Sequence, residues 1–311
     1  MSYKKIKISG LSEMEWLMLR KRSGIGGSEV SAILGLSKFS SPMKVYKDKT
    51  TDDLEIKTSE SMRVGHDLEE YVAQRFCEAT GKKVRRSNYM YRSKEYPWMI
   101  ADVDRLIVGE DAILECKTTN AWGASKWYDG EIPDSYIMQC FHYMAITGKR
   151  TCYIACLIMG VGFVYRTLYW DDDIINALIE RESEFWNEYV VPRRLPEVDG
   201  SQCCSDIIGS FYPSAEKGSV ITLEGFDDSL ARRDKIIRQI EELKTEQNKI
   251  EQDIKLYMKD NELAINDNYR ISWNTVESTR LDSKKLKEEM PEIYNKFSKT
   301  SSSRRFQIRV A

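Results

Sequence analysis

Two acidic segments, one of them ending in a lysine, lie close together: Asp102-Val103-Asp104 and Glu115-Cys116-Lys117. Two carboxylates and an ammonium that converge on one point are the minimum equipment for a hard divalent cation and a water it activates. The run from Arg105 to Ala112 between them reads as a β-hairpin, with apolar residues on both sides of a Gly-Glu-Asp turn. Such a hairpin sets Asp104 beside Glu115, and strand alternation sends Glu115 and Lys117 to one face. Taken alone, Glu-x-Lys is more often a solvated strand edge, and Asp-x-Asp is common in turns. The apolar Ile113, Leu114 and Cys116 around the polar pair argue instead for a half-buried strand.

The 311 residues allow one large domain, or one domain with an appendage, in an ordinary but highly charged globular composition. A net charge of -2 gives no bulk attraction to nucleic acid, so any such contact needs locally clustered base. Seven cysteines form no Cys-x-x-Cys pair, which indicates neither a zinc site nor a disulfide framework and suits a reduced, cytoplasmic protein. His66 and His142 are the only histidines, so histidine-rich metal chemistry is not expected. Residues 1–10 lack an apolar signal core, and the longest apolar run, Tyr153 to Tyr165, is too short and Gly-broken to span a bilayer.

The elements that must position these groups follow in order. Ser12 with Glu15 forms a capping box for a helix bearing Trp16, Leu17 and Leu19, which runs into Arg20-Lys21-Arg22. A Gly-rich loop follows, with Ser28 expected to cap a second helix ended by Gly35. Basic triplet, loop and helix start together make an anion cradle, or equally a tight turn that needs glycine; the Gly-Lys-Ser/Thr of a nucleotide P-loop is absent. Ser41-Pro42 opens a helix over 43–49, residues 47–57 read as a polar loop, and 63–79 form a helix closed by Gly81. Glu69 on that helix could join the acidic site or face solvent. The run 82–86 is basic and leads to a strand at Tyr89-Met90-Tyr91. Residues 118–123 read as a polar loop. Pro133-Asp134 leads into a helix on which Tyr136, Gln139 and Tyr143 recur at helical spacing. The stretches 152–159 and 163–169 read as buried central strands, and Asp171 starts a helix to about Tyr189. Residues 203–225 look turn-rich. Beyond them Ile236, Ile240, Leu243, Ile250, Ile254 and Tyr257 form a heptad seam, with polar Gln247 in the gap. This seam suits either a partner or packing on its own chain. Strand-like alternation at 269–276, a helix over 283–297 and alternation at 306–310 describe a small β-helix-β unit.

The order is Arg/Lys before Ile25-Gly26-Gly27-Ser28-Glu29, Gly65-x-x-x-Glu69, Asp104, Glu115-Cys116-Lys117, then Tyr136-x-x-Gln139-x-x-His142-Tyr143-Met144. Over about residues 12–190 it resembles the YqaJ-type viral recombinase family, relatives of phage lambda exonuclease in the PD-(D/E)xK nuclease superfamily. The resemblance implies an α/β fold with a central mixed β-sheet flanked by helices, a restriction-endonuclease-like core. The exonuclease domain it implies spans 1–200; the turn-rich stretch reads as a linker over 201–225, and the heptad helix with the unit after it as a coiled-coil and small α/β appendage over 226–311. Asp104 and Glu115 match the family's metal carboxylates, the Cys116 backbone carbonyl a further ligand, and Glu69 a helix-borne one. Lys117 matches the lysine that orients or deprotonates the attacking water, and Gln139 the active-site glutamine. Ser28 matches a serine of the 5′-phosphate pocket. Its arginine is open among Arg20, Lys21 and Arg22, because one residue more than the usual spacing intervenes. Phe141 stands where many members have Gln, and Val103 where the motif's name has Pro.

What the resemblance implies of activity is a Mg²⁺-dependent (or Mn²⁺-dependent) 5′-to-3′ exonuclease on linear double-stranded DNA ends, leaving a 3′ single strand for phage-type recombination. A phage single-strand annealing protein and a homo-oligomeric ring trimer are the implied partners, and a phage- or prophage-encoded protein acting in the cytoplasm of a bacterial host the implied setting. A structure-selective endonuclease of the same superfamily and a non-catalytic DNA-end or partner-binding protein are the alternatives.

Overall fold

The computed structural model describes residues 2–51, 59–300 and 304–308. The chain divides into two compact units, Met1–Tyr212 and Pro213–Ala311. The first is mixed α/β, with two mixed sheets and helices packed on them.

The larger sheet has five strands in the order β3 (Val84–Arg86), β6 (Arg105–Ile107), β7 (Ala112–Thr119), β8 (Thr151–Ile158) and β9 (Gly162–Tyr169). Strands β7 and β8 are parallel and the other pairs antiparallel. A parallel pair needs a crossover, which helix α5 (Asp134–Thr147) supplies. The alternation of β7 divides its side chains. Ala112, Leu114 and Cys116 meet Val72, Ala73 and Phe76 of helix α4 (Glu60–Thr80), while Ile113 joins the α5 side with Cys140 and Met144. Glu115 and Lys117 therefore face α5. The turn between β6 and β7 places Gly109 at φ +83°, a left-handed conformation that a side chain would strain.

The smaller sheet has the order β1 (Tyr3–Lys7), β4 (Tyr89–Ser93), β5 (Met99–Ala101) and β2 (Ile25–Gly26). The parallel pairing of β2 with β5 brings the Gly-rich segment against the strand that leads to Asp102. Here glycine is required: Gly24 has φ +141°, and a Cβ on it would lie 2.0 Å from the Trp98 carbonyl oxygen.

Helix α1 (Glu13–Ser23) starts with the expected Ser12/Glu15 capping box, and α3 (Pro42–Thr50) is capped by Ser41. Helix α4 ends at Gly81 in the left-handed conformation. Helix α6 (Asp172–Phe185), capped by Asp171, continues through a wider turn, Trp186–Val190, and buries Ile175, Leu178 and Phe185.

Several expectations are corrected. The single mixed sheet is two sheets, and β1 is an unforeseen strand. Strand β9 is an edge of its sheet and not a central strand, so much of it is half exposed. Residues 118–119 belong to β7, and Ala121–Gly130 forms 3₁₀ turns in place of a plain loop. Ser28 is not a helix cap: α2 is Gly27–Ile33, its N-cap is Gly26, and Ser28 lies in its first turn. Lys47–Thr50 are helical, and positions 52–57 of the expected polar loop lie outside the described residues. The turn-rich stretch from 203 holds helix α7 (Gln202–Phe211), capped by Ser201, which packs Cys204 and Ile207 on Met43 of α3.

The second unit holds the long helix α8 (Asp227–Met258), a hairpin of β10 (Leu263–Ile265) and β11 (Arg270–Ser272), and helices α9 (Ser283–Glu289) and α10 (Pro291–Phe297). The expected β-helix-β order is therefore replaced by a hairpin followed by two short helices. Residues 306–308 form no strand, and 309–310 lie outside the described residues. Ile236, Ile240, Leu243, Ile250 and Tyr257 are exposed, so the seam is not covered within its own unit. Among the described residues no helix is long and apolar enough to cross a membrane.

Candidate active site

The hairpin register, with Arg105 opposite Leu114, sets Asp104 beside Glu115. Asp104 Oδ2 accepts from the Cys116 backbone N–H at 2.7 Å. The N–H and C=O of one strand residue point to the same edge, so the Cys116 carbonyl faces the Asp104 side as well. Glu115 and Lys117, two apart on β7, meet directly: Lys117 Nζ donates to Glu115 Oε1 at 2.6 Å. Gln139 of α5 joins them. Its Oε1 accepts from Lys117 Nζ at 2.9 Å, while its Nε2 donates to Glu115 Oε1 at 2.8 Å and to the Tyr143 hydroxyl at 3.0 Å. The Lys117 ammonium also lies 4.7 Å from the centre of the Tyr136 ring. Gly27 allows α2 this close, because a Cβ there would lie 2.5 Å from the Tyr143 ring and 2.9 Å from Gln139 Cγ.

Burial makes these charges consequential. Glu115 and Gln139 are buried, and Glu115 Oε2 has no hydrogen-bond partner. Burial, together with the Glu115 and Glu69 charges, pushes the Asp104 carboxyl well above the usual carboxylate range. Burial also raises Glu115, against the opposing effect of Lys117. For Lys117 burial alone would lower the ammonium, but the neighbouring Glu115 and Asp104 outweigh it and hold the group charged. The Asp102 carboxyl is raised by burial and accepts from the Trp16 indole N–H at 2.6 Å.

Glu69 reaches this cluster from α4, near enough for its charge to act on both Asp104 and Glu115, and its carboxylate is paired with the buried Arg105 guanidinium. Among the described residues no three His, Cys, Asp or Glu side chains stand grouped to hold a metal ion. The donor chemistry nonetheless suits a hard cation: two crowded carboxylates, half-buried Asp104 and buried Glu115, the latter with an orphaned oxygen.

The basic triplet is divided. Arg20 donates to the Ser28 hydroxyl, lies over the Trp16 ring at 5.4 Å, and is near enough to Asp102 to favour its charged form. Arg22 is not part of this group; it lines a separate cavity with Lys21, Lys49 and Arg193. The sequence therefore brings together Asp104, Glu115, Lys117, Gln139 and Glu69, and separately Arg20 with Ser28, but not Arg22.

Three contributors escaped the sequence reading. Trp16 reads as part of an apolar helix face, yet its N–H holds Asp102. Arg105 reads as a strand residue, yet it is 2% exposed and neutralises Glu69. His142 is fully buried; its Nε2–H donates to the Ile100 carbonyl at 2.9 Å and its Nδ1 meets Glu182 Oε1 at 2.8 Å, tying α5 to β5 and α6. Burial alone would lower this imidazole, but the Glu182 charge and hydrogen bond raise it. The signal for His142 was its position three residues after Gln139, on the inner face of α5.

A model of the YqaJ-like viral recombinase domain matches residues 15–150, which carry this whole group of residues. The uncharacterized protein YqaJ of Bacillus subtilis (strain 168) is 40% identical over 307 residues, covering 97% of this chain and 96% of that one. Among solved structures, the alkaline exonuclease LHK-Exo from Laribacter hongkongensis is 20% identical over 56% of this chain and 91% of its own, with a TM-score of 0.48. LHK-Exo in complex with dAMP gives 23% identity and a TM-score of 0.49 over the same shares. A phage-related exonuclease from Haemophilus somnus 129PT is 13% identical over 55% of this chain and 97% of its own, with a TM-score of 0.42. Forty per cent identity along nearly the full length of both chains, with the domain match on the residues that build the acidic site, decides the kinship: this chain belongs to the YqaJ-like viral recombinase family.

Proposed function

We propose that this chain is a divalent-cation-dependent exonuclease that degrades linear double-stranded DNA from the 5′ end and leaves a 3′ single strand. The observation that carries this reading is the convergence of Asp104, Glu115, Lys117 and Gln139, with one buried Glu115 oxygen left without a partner. Mg²⁺ or Mn²⁺ held by Asp104, Glu115, the Cys116 carbonyl and Glu69, once Glu69 is released from Arg105, would polarise a phosphoryl oxygen and offset charge on the leaving 3′-oxygen.

The chain's own groups then have defined tasks. Lys117 presents a fixed positive charge beside the acidic pair, where it can hold a water against phosphorus and stabilise the charge that develops there. Gln139 fixes the distance between Lys117 and Glu115 by bonding both, and Tyr143 receives its remaining amide donor. Arg20 and Ser28 supply a guanidinium and a hydroxyl for a terminal phosphate, one helical turn from Trp16 and Asp102. A terminal phosphate held there gives the reaction its direction.

The test is digestion of linear duplex carrying a 5′-phosphate. The reading expects mononucleotide release with Mg²⁺, none with EDTA, and none from a folded Lys117→Ala variant. Full activity in that variant contradicts it. Closed circular DNA cut as fast as linear DNA would make the protein an endonuclease.

A further inference from the structure

Arg22 faces a cavity of about 140 Å³ that the proposed nuclease site does not use. Four cationic side chains line it, Lys21, Arg22, Lys49 and Arg193, together with Thr50 and Thr51, and among the described residues no acidic side chain is in its walls. Lys49 is the unusual member. Its side chain is 1% exposed, and its ammonium is ion-paired with Glu29 Oε1 at 2.8 Å. One carboxylate oxygen cannot take up all three donors of an ammonium, and leaving the others unused when buried is costly. Arg193 is held at φ +56°, a strained conformation for a side-chain-bearing residue, while its carbonyl accepts from the Tyr46 hydroxyl at 3.0 Å. Arg22 and Arg193 are exposed and have no carboxylate partner among the described residues. Glu29 lies within reach of both Lys49 and Arg20, with Oε1 on Lys49 and Oε2 accepting from the Gly26 N–H.

We propose that this cavity is a second phosphate-binding site, with Lys49 at its floor and Arg22 and Arg193 as its outer donors, and that its ligand is a backbone phosphate of the DNA strand. The choice of DNA rests on the nuclease reading; the preference for a phosphate rests on the cavity alone. The two exposed guanidinium forks and the threonine hydroxyls match a tetrahedral oxyanion. The site would hold the strand away from the reacting end and set its path toward Lys117.

The experiment measures affinity for a short duplex by fluorescence anisotropy in EDTA, so that no cleavage occurs, across a range of salt. The Arg22→Ala/Arg193→Ala double variant spares the buried Lys49, and circular dichroism checks its fold. Binding weakened about tenfold, with the salt slope reduced by roughly 1 to 2, supports the site. Recovery in Arg22→Lys/Arg193→Lys supports it further. Unchanged affinity and slope in a folded double variant overturn it. A parallel thermal-shift titration with inorganic pyrophosphate distinguishes the source. If wild type binds no DNA but is stabilised by pyrophosphate, and the double variant is not, the cavity takes free phosphates and the nuclease reading fails instead. Response to neither probe overturns the proposal.

Discussion

Replacing Asp104 with Asn should make the protein more stable in the absence of divalent cations while removing its response to them. Asp104 is half-buried beside Glu115, within the influence of Glu69, and Lys117 opposes these charges. Opposed strand residues place Cβ atoms about 5 Å apart. Two carboxylates at roughly that separation repel by about 3 kcal/mol at an effective dielectric of 20. Losing the attraction of Lys117 offsets part of this, leaving a gain of about 1 to 2 kcal/mol for Asp104→Asn. The Asn carbonyl can still accept from the Cys116 N–H, so the hairpin keeps its hydrogen bond. In a domain of this size the gain corresponds to a rise in Tm of about 3 to 6 °C. The pH dependence has a definite sign. A carboxyl with a raised folded pKa favours the native state while protonated, so wild type loses this contribution as pH rises from about 4 through the raised value. The advantage of Asp104→Asn is therefore fully present above the raised folded value and disappears toward pH 4. Thermal melts in EDTA at several pH values measure it. A variant that melts at or below wild type across the whole alkaline range refutes the electrostatic argument. Adding 10 mM Mg²⁺ should then stabilise wild type by about 1 to 3 kcal/mol, for dissociation constants of roughly 0.1 to 1 mM, and leave the variant unchanged.

Gln139→Leu should lower the DNA-digestion rate about 10- to 100-fold with a preserved fold, because Lys117 and Glu115 lose their shared amide; single-turnover digestion reads this. His142→Phe should destabilise by about 3 kcal/mol by stranding buried Glu182. In wild type the raised imidazole contributes stability fully below about pH 6.5 and loses it as pH rises through the folded value, so urea melts should weaken toward alkaline pH and this component should vanish in His142→Phe. Gly27→Ala should cost about 1 to 3 kcal/mol and slow digestion, because its Cβ collides with Tyr143 and Gln139; paired melts and rates check both effects.

The hairpin from Asp104 to Glu115 was legible because its signals are local: alternating apolar residues, a glycine turn, and a two-residue period that fixes which side chains share a face. The placement of Gln139 followed from helical spacing, and the Ser12 capping box and the Gly81 helix end from short-range chemistry. What escaped depends on pairings between distant residues. No local pattern joins Ile25-Gly26 to Met99-Ile100, so the division into two sheets was hidden. Arg105 gave no sign that Glu69, thirty-six residues earlier, was its partner. Arg20 and Arg22 differ by two positions, roughly opposite sides of a helix, yet spacing alone could not tell which side met Ser28. The stretch from Cys203 was misread because its Ser and Gly content suggests turns, although Ser201 caps a helix there that is stabilised by packing on Met43.

The account depends on a cation seated at Asp104 and Glu115, within reach of Glu69 from α4. Anomalous scattering from a crystal soaked in Mn²⁺ tests this most directly. The expected result is a single strong peak within about 2.0 to 2.3 Å of Asp104 and Glu115 carboxylate oxygens, with Glu69 turned away from Arg105. A Mn²⁺-saturated crystal with no peak there, and Lys117 still bonded to Glu115, would contradict it.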